Sequence, residues 1–540
     1  MRWVTEEPTR EVDVVVAGSG AAGLTAALVA ADSGARVSVL EKSAVLGGTS
    51  AISGGMLWIP QSGLPHGTER DLAAARQYVD HITKGRASAS MVDRHLGRGP
   101  AMIEFFTRVG GPEFTVVPGF PDYHAEFPGG APGGRSIEPE LYEMQRLNGI
   151  ADAIRADPRP PFRQQEYFEF WGTYGRFPQD LLDQRELDKV ATRGRALVGP
   201  LVEAIVARDG ALAVDAPVER LIVDDARVIG VRTGAGDVMA RYGVVLACGG
   251  FEWNADMCNR FLSGPVRARC SPPTMVGDGI RMAMAVGSDV SAMNEAWWGV
   301  MADIPGLEAD GEPLQTMTTV ERSLPGSILV NRTGRRFANE ATSYGALGKV
   351  LAAFDANQYG YSNLPAFLIA DARHVKRYGI FGASSLDDAP EWLNVADTLA
   401  ALAAKIDVNA DGLAETVERF NHYANEGLDP DFHRGEHLYD RYLGDGNAPH
   451  PNLAPLDTPP FAALEVTCGA FGTRGGVRTD EFGRALTPFS EPIPGLFAAG
   501  NNAAHPIPFG YMGAGSTLGP GMTMAYAAGQ TILGDGRRAA

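Results

Sequence analysis

The sequence predicts an α/β fold: a Rossmann-like, parallel-sheet domain whose chain is interrupted by an inserted α+β domain. Three observations carry this. A complete strand–helix–strand unit opens the chain. Apolar runs of the same type return near residues 243–251 and 493–501, each ending in glycine. Between them, from about residue 290 to 460, the composition shifts toward charge and helical patterns.

The opening unit spans residues 13–55, DVVVAGSGAAGLTAALVAADSGARVSVLEKSAVLGGTSAISGG. Val14 to Ala17 is the apolar run of a strand buried on both faces. Gly18–Ser19–Gly20–Ala21–Ala22–Gly23 follows, then a helical pattern (Leu24, Ala27, Leu28, Ala31) that stops at Gly34, then a second run, Val37 to Leu40, ending on Glu41. Gly18 permits the tight turn, Gly20 lets backbone N–H groups approach a pyrophosphate at the helix start, and Gly23 lets helix and strand pack closely. Glu41 is placed to bind a ribose diol, which favours FAD or NAD over NADP. Gly47–Gly48–Thr49–Ser50 and Ser53–Gly54–Gly55 offer small residues and hydroxyls just past the second strand, suited to a second approach to a diphosphate and a flavin.

At 540 residues the chain is expected to hold two or three domains, and its 66 glycines point to many close backbone approaches. The net charge of −18 argues against nucleic acid or an anionic membrane as partner. Cys248, Cys258, Cys270 and Cys468 form no CxxC pair, so neither a zinc site nor a disulfide framework is expected. No metal site is expected. The start, MRWVTEEPTREVD, lacks a signal peptide's apolar core, and no run of about 18 apolar residues suggests a membrane span. A reduced, cytoplasmic setting is expected, with peripheral membrane contact left open.

Past Gly55 the pattern predicts helix from about 69 to 109, then an irregular segment rich in proline, glycine and aromatics from Gly110 to Phe177. A helix from Gly194 leads to a β-meander through Val218 and Val231, and Gly243 to Phe251 is another buried strand carrying Ala247 and ending in Gly249–Gly250. Gly277–Asp278–Gly279 opens a helix. Further helices are expected over 392–405 and 412–426. Near the end, IPGLFAAGN is a strand ending on Gly500–Asn501. It is followed by GAGSTLGP, where Thr517 and Leu518 begin a helix whose positive end suits an electron-rich ring edge.

These strings together resemble the fumarate reductase/succinate dehydrogenase flavoprotein superfamily (FAD-dependent oxidoreductase 2 type), and within it the 3-ketosteroid Δ1-dehydrogenases. The likeness is carried by GSGAAG with Glu41, GGTSAISGGMLWIP, VVLACGGFEWN, GDG, GRRFANE and GLFAAGNNAA…YMGAGSTLGPGMT. It implies a Rossmann-like FAD-binding domain of GR2 type, split into residues 1–296 and 461–540 around a catalytic and capping domain at 297–460. The FAD contacts it implies are Gly18, Ser19, Gly20, Ala22, Gly23, Glu41 and Lys42 in the first unit, and Gly48, Thr49, Ser50, Ser53, Gly54 and Gly55 beyond it. From the later segments it implies Val218, Ala247, Gly249, Asp278, Gly500, Asn501, Thr517 and Leu518. No histidine follows Gly48 where some relatives attach the cofactor, so a non-covalent FAD is expected.

The resemblance also implies a reaction: 1,2-desaturation of a 3-ketosteroid, part of lipid degradation, with an external electron acceptor the sequence does not name. Its tyrosines fall on Tyr123 in GFPDY, Tyr344 after GRRFANE, and Tyr511 in YMGAG, which also supplies Gly515. Tyr511 O–H and the Gly515 N–H would polarise the ketone, Tyr344 would take the carbon-2 proton with Tyr123 hydrogen-bonded to it, and the flavin would take the carbon-1 hydride. Met512 and Ala514 stand where the family has prolines, and Phe120 where it has tyrosine. The alternative is a sister enzyme acting on the 4-ene bond or on another enone or ketone. Arg335, Arg336 and Arg474 are the arginines that a dicarboxylate substrate would need, and a tyrosine-lined site disfavours that substrate. His505 is expected to be structural.

Overall fold

A computed structural model describes residues 4–5, 9–173 and 178–539; Phe177, where the sequence ends the irregular segment, lies outside them. The first sheet has nine strands. Its parallel centre runs Ala211–Ala213, Val37–Leu40, Glu11–Ala17 and Gly236–Leu246. Strand Gly236–Leu246 serves two neighbours on its far edge. Its first residues pair antiparallel with Arg227–Thr233 to complete the expected meander, and its last pair parallel with Pro492–Ala498. The apolar runs of the sequence are these strands because both faces are covered: Val14, Val15 and Val16 are all fully buried.

Helix Ala21–Asp32 lies on one face of this sheet between Arg193–Val206 and the last helix, Leu518–Ala539. Leu24, Leu28, Leu197, Leu201 and Ile532 close the core there. The helix expected over 69–109 is two, Leu72–Thr83 and Ala89–Val109, because Lys84 and Gly85 adopt left-handed φ of 52° and 72° and end the first.

The second sheet has seven strands, ordered Thr316–Met317, Ala296–Ala302, Phe461–Thr473, Ala366–Asp371 and Ser327–Asn331, with Ala268–Arg269 and Asn394–Ala396 also pairing to Phe461–Thr473. By pairing, then, the strand that follows residue 460 belongs to this sheet, and the chain rejoins the first sheet beyond it. The helix expected over 392–405 is shorter, Leu399–Lys405, with Thr398 Oγ1 capping it by accepting from Ala401 N–H at 3.1 Å.

The GRRFANE string turns out to build this layer. Arg336 donates to both oxygens of Glu340 (2.7 Å each) and of Asp429 (2.8 Å each), and Arg434 adds a contact to Glu340 at 3.3 Å. All four side chains are buried, and Arg336 and its carboxylates hold each other ionised. Arg335, one residue earlier, pairs with Glu415 at the surface. Removing one member of such a cluster strands charge in a dry interior. Glu340→Ala should therefore destabilise the fold by about 3–5 kcal/mol, read as a large fall in thermal melting temperature; a melt within a degree or two of wild type would contradict this account.

Candidate active site

A cavity of about 970 Å³ lies between the two sheets, and one end of it is a nucleotide cradle. Gly18 turns at φ +103°, and a Cβ there would come within 2.3 Å of the Ala247 carbonyl oxygen. Helix Ala21–Asp32 starts on Gly20 with no side-chain cap, so its first N–H groups face the cavity apart from that of Ala21, which donates to Ser50 Oγ at 3.0 Å. The Glu41 carboxylate is pinned at the end of its strand. One oxygen accepts from Ser19 N–H (3.0 Å) and Ser19 Oγ (2.5 Å), the other from Ser43 N–H (2.9 Å). The second oxygen, Oε1, keeps a lone pair for a ribose hydroxyl. Lys42 and Asp278 stand beside it as an ion pair at 2.9 Å. The start of helix Leu518–Ala539 points at the other end of the cradle through Gly515, Thr517 and Leu518. Bare glycine backbone, uncapped N–H groups and a fixed acid are the donor set that FAD's diphosphate and ribose need, so the residues fit this cofactor.

The other end is aromatic. Tyr344 is the first residue of helix Tyr344–Leu351, seated by its packing on Ala296–Ala302. Tyr123 comes from the turn after Val117, and its backbone N–H donates to the Met512 carbonyl at 2.9 Å, fastening that turn to the Tyr511 loop. Tyr78 Oη donates to the same carbonyl at 2.7 Å. Asp122 anchors the turn from the other side, accepting from Trp58 Nε1 (2.8 Å), Arg135 Nη1 (2.5 Å) and Ala131 N–H (3.0 Å). The result is three hydroxyls in one place. Tyr123 O–H donates to Tyr344 Oη at 2.8 Å, and Tyr511 Oη lies 3.1 Å from Thr517 Oγ1. The three rings stand 5.2–5.4 Å apart.

Burial raises all three phenols above their ordinary value of about 10, Tyr123 and Tyr344 most. For Tyr511 the Thr517 hydroxyl, then the Tyr344 hydroxyl, then the positive charge of Arg474 oppose that rise. Among the described lining residues the cations are Lys42, tied to Asp278, and Arg159, tied to Asp157 and the Ile52 carbonyl. Glu321 is a buried acid on the wall whose pKa is raised by its burial.

Every residue named from the sequence as an FAD contact lines this cavity except Gly23, and so do Tyr123, Tyr344, Tyr511 and Gly515. Gly23 lies behind the cradle, where a Cβ would sit 2.1 Å from the Gly18 carbonyl oxygen, the packing task expected of it. Gly515 has a second reason to be glycine. At φ +91° its missing Cβ would fall 2.3–2.5 Å from the Leu57 and Trp58 backbone, so the closeness of that strand demands it, beyond any ligand. His505 is structural: its Nδ1 lies 3.0 Å from the Ile507 carbonyl, and burial lowers its pKa to about 3. None of Arg335, Arg336 and Arg474 reaches the cavity wall. Sequence reasoning passed over Tyr439, whose ring stands 4.7 Å from Tyr123, and over Phe168, Phe471 and Glu321. Tyr439 sits on the short helix Leu438–Tyr442, in a stretch with no motif to mark it. The four cysteines are free.

These features are those of a flavoprotein, and residues 13–518 match the FAD binding domain family, to which this chain belongs. Its cofactor is FAD, and it is an FAD-dependent oxidoreductase. Among its relatives it is 45% identical to 4-oxocyclohexanecarboxylate 2-dehydrogenase of Sinomonas cyclohexanicum, over 99% of this chain and 95% of that one. It is 37% identical to 3-oxosteroid 1-dehydrogenase of Mycobacterium tuberculosis, over 96% and 98%. Its structure is similar to that of 3-ketosteroid Δ1-dehydrogenase from Sterolibacterium denitrificans in complex with 1,4-androstadiene-3,17-dione, with a TM-score of 0.91, 34% identity, and coverage of 97% and 100%.

Glu41 gives a direct test of the cradle. A hydrogen bond to a charged group is worth about 1.5–3 kcal/mol, so Glu41→Ala should raise the FAD dissociation constant roughly tenfold to a hundredfold in a flavin-fluorescence titration. Unchanged affinity would remove the acid from the ribose site.

Proposed function

We propose that this enzyme desaturates the carbon–carbon bond beside a ring ketone, and that its substrate is a 3-ketosteroid oxidised at the 1,2 bond. The observation that carries the reading is the Tyr123–Tyr344 pair, hydroxyl to hydroxyl at 2.8 Å, facing Tyr511 in the same cavity as the FAD cradle. FAD, when bound, supplies a two-electron acceptor for the hydride from carbon 1. The rest falls to the chain's own residues. Tyr511 O–H and Gly515 N–H hold the ketone oxygen and take up the negative charge that grows there as the adjacent C–H bond breaks. In this reading Thr517 O–H is the donor to Tyr511 Oη at 3.1 Å, which leaves the tyrosine's own proton free for the ketone and polarises it further.

Tyr344 accepts the proton from carbon 2. A lone buried phenol would be a poor base, because burial disfavours the phenolate. Tyr123 changes this. When the pair is one proton short, the remaining hydrogen lies between the two oxygens and the charge is shared. The cavity around the pair is apolar, walled by Phe120, Phe168, Met317, Phe381 and Phe471, which suits a fused hydrocarbon ring system.

The 45% identity to a 4-oxocyclohexanecarboxylate dehydrogenase supports a second reading, a single ring bearing a carboxylate. The chemistry at the ketone is the same, and only the far end of the ligand differs. The lining cations Lys42 and Arg159 are already tied to Asp278 and Asp157, which favours the uncharged steroid over a substrate carboxylate. A further reading with the same ketone chemistry is oxidation of the 4,5 bond of a saturated 3-ketosteroid to the 4-ene. Anaerobic mixing with a 3-keto-4-ene steroid should bleach the flavin and yield the 1,4-diene. Bleaching by 4-oxocyclohexanecarboxylate alone would move the assignment to the second reading, and bleaching by neither would overturn both.

With the reactive ketone, Tyr344→Phe should lower turnover about 10²–10⁴-fold while FAD stays bound; near-full turnover would remove the base assignment. Because burial raises the pair's pKa, the phenolate fraction grows with pH. Turnover of the wild type should thus climb about tenfold per pH unit through the neutral range if proton removal limits it. A flat profile from neutral to alkaline pH would argue that proton removal is not limiting.

A further inference from the structure

Arg474 is a buried cation that the reaction outlined above leaves unused. It follows directly on strand Phe461–Thr473 and does not touch the cavity, yet its guanidinium is built into the support of Tyr511. Nη1 donates to the Ile507 carbonyl at 3.2 Å and to the Gly510 carbonyl at 2.6 Å, the latter on the residue just before Tyr511. The guanidinium carbon stands 3.9 Å above the Trp297 ring. Trp297 in turn packs edge-on to Tyr511, 5.0 Å between centroids at 67°, and its Nε1 donates to Asn501 Oδ1 at 3.1 Å. The backbone of Arg474 ties in two more segments: its N–H donates to the Glu295 carbonyl and its carbonyl accepts from His505 N–H, both at 3.0 Å.

The charge on this group is not cancelled by a direct ion pair among the described residues. Arg474 Nε has no hydrogen-bond partner, and the nearby acid, Glu295, already holds Lys349 Nζ at 2.8 Å. A guanidinium with unspent charge in a dry interior acts across several ångströms far more strongly than it would in water. We propose that Arg474 is a positioning residue for Tyr511: from behind Trp297, through its grip on the Ile507 and Gly510 carbonyls and through its field, it fixes where the tyrosine hydroxyl points and makes it a stronger hydrogen-bond donor.

The direction of its effect on the phenol agrees, since Arg474 opposes the rise that burial imposes on Tyr511. Burial lowers Arg474's own pKa to about 10, so it stays charged at neutral pH. On the cavity side the titratable groups acting on Tyr511 are Tyr344, Tyr123, Tyr439 and Cys270, all kept neutral by burial. Behind it stand Arg474, then Glu295, Lys349 and a neutral His505. Arg474 is the cation that acts on Tyr511, and the Asp122–Arg135 ion pair faces the same loop at Gly513. That the donor is used on a ketone rests on the function proposed above; the acidity of Tyr511 does not.

The test measures that acidity without any substrate. 3,5-Difluorotyrosine placed at position 511 ionises well below tyrosine and can be titrated by fluorine NMR in the FAD-loaded protein. Arg474→Gln should raise its midpoint by about one unit, a roughly tenfold weaker acid. Arg474→Lys, which keeps the charge, should stay close to the parent. Glu295→Gln removes the opposing carboxylate and should lower the midpoint. If Arg474→Gln folds and stays yellow with an unmoved midpoint, the proposal falls and Arg474 is merely structural. Should that variant fail to fold, Glu295→Gln decides: a lowered midpoint supports the proposal and an unmoved one overturns it.

Discussion

One backbone hydrogen bond, from Tyr123 N–H to the Met512 carbonyl, brings the tyrosine site together. It joins two loops nearly four hundred residues apart in sequence. Around it the polar groups are fully occupied. Tyr78 also donates to Met512, and Asp122 is gripped by Trp58 and Arg135, whose other hydrogen bonds go to Asp71 and the Gly129 carbonyl. Buried polar groups satisfied in this way specify a single arrangement, because any shift leaves a donor or a charge unpaired. The hydroxyls of Tyr123, Tyr344 and Tyr511 inherit their precision from this frame.

The same frame explains the departures in the last loop. Met512 is nearly fully buried and packs with Trp58, Tyr78, Val79 and Ile82, so its side chain plugs the layer beneath the site while its carbonyl does the joining. The Ala514 carbonyl accepts from Ser136 Oγ at 3.0 Å. Neither task requires a proline ring; both use carbonyls, which every residue has. Phe120 lies against Phe168 and Tyr442 with centroids 4.8 and 4.9 Å away, so it acts as wall, and a hydroxyl there would need a partner. At these positions Met512 and Phe120 fill the wall, and the Met512 and Ala514 carbonyls hold the loop.

The nucleotide cradle was readable in the sequence because it is made of backbone. A turn at positive φ, a close helix–strand contact and a run of exposed N–H groups can be built only from a few residue types, so their signature is local. The long apolar strands were readable for the same reason. Tyr439, Glu321 and the Arg474–Trp297 stack were not, because each takes its role from residues far away in the chain. A tyrosine on a five-residue helix looks like any other until the fold sets it beside Tyr123. The bound at 460 comes from the resemblance, and the strand Phe461–Thr473 just beyond it pairs within the second sheet, an assignment that only its partners, distant in sequence, can make.

Burial serves the proposed chemistry in two opposite ways. For Tyr511 a raised pKa is useful, since the phenol must stay protonated to donate to a ketone. For Tyr344 the same desolvation is an obstacle, because a base must lose its proton first. The two residues sit within a few ångströms, so a difference in solvation cannot separate their roles. What separates them is their partners. Tyr511 has a hydroxyl, Thr517, and a cation held behind an indole. Both oppose the rise that burial imposes on its pKa. Tyr344 has another phenol, which can share a negative charge with it as a hydroxyl of ordinary acidity would not. In the proposed mechanism acid and base are thus assigned by second neighbours and not by the tyrosines themselves, so that three copies of one residue type take different tasks in a single pocket.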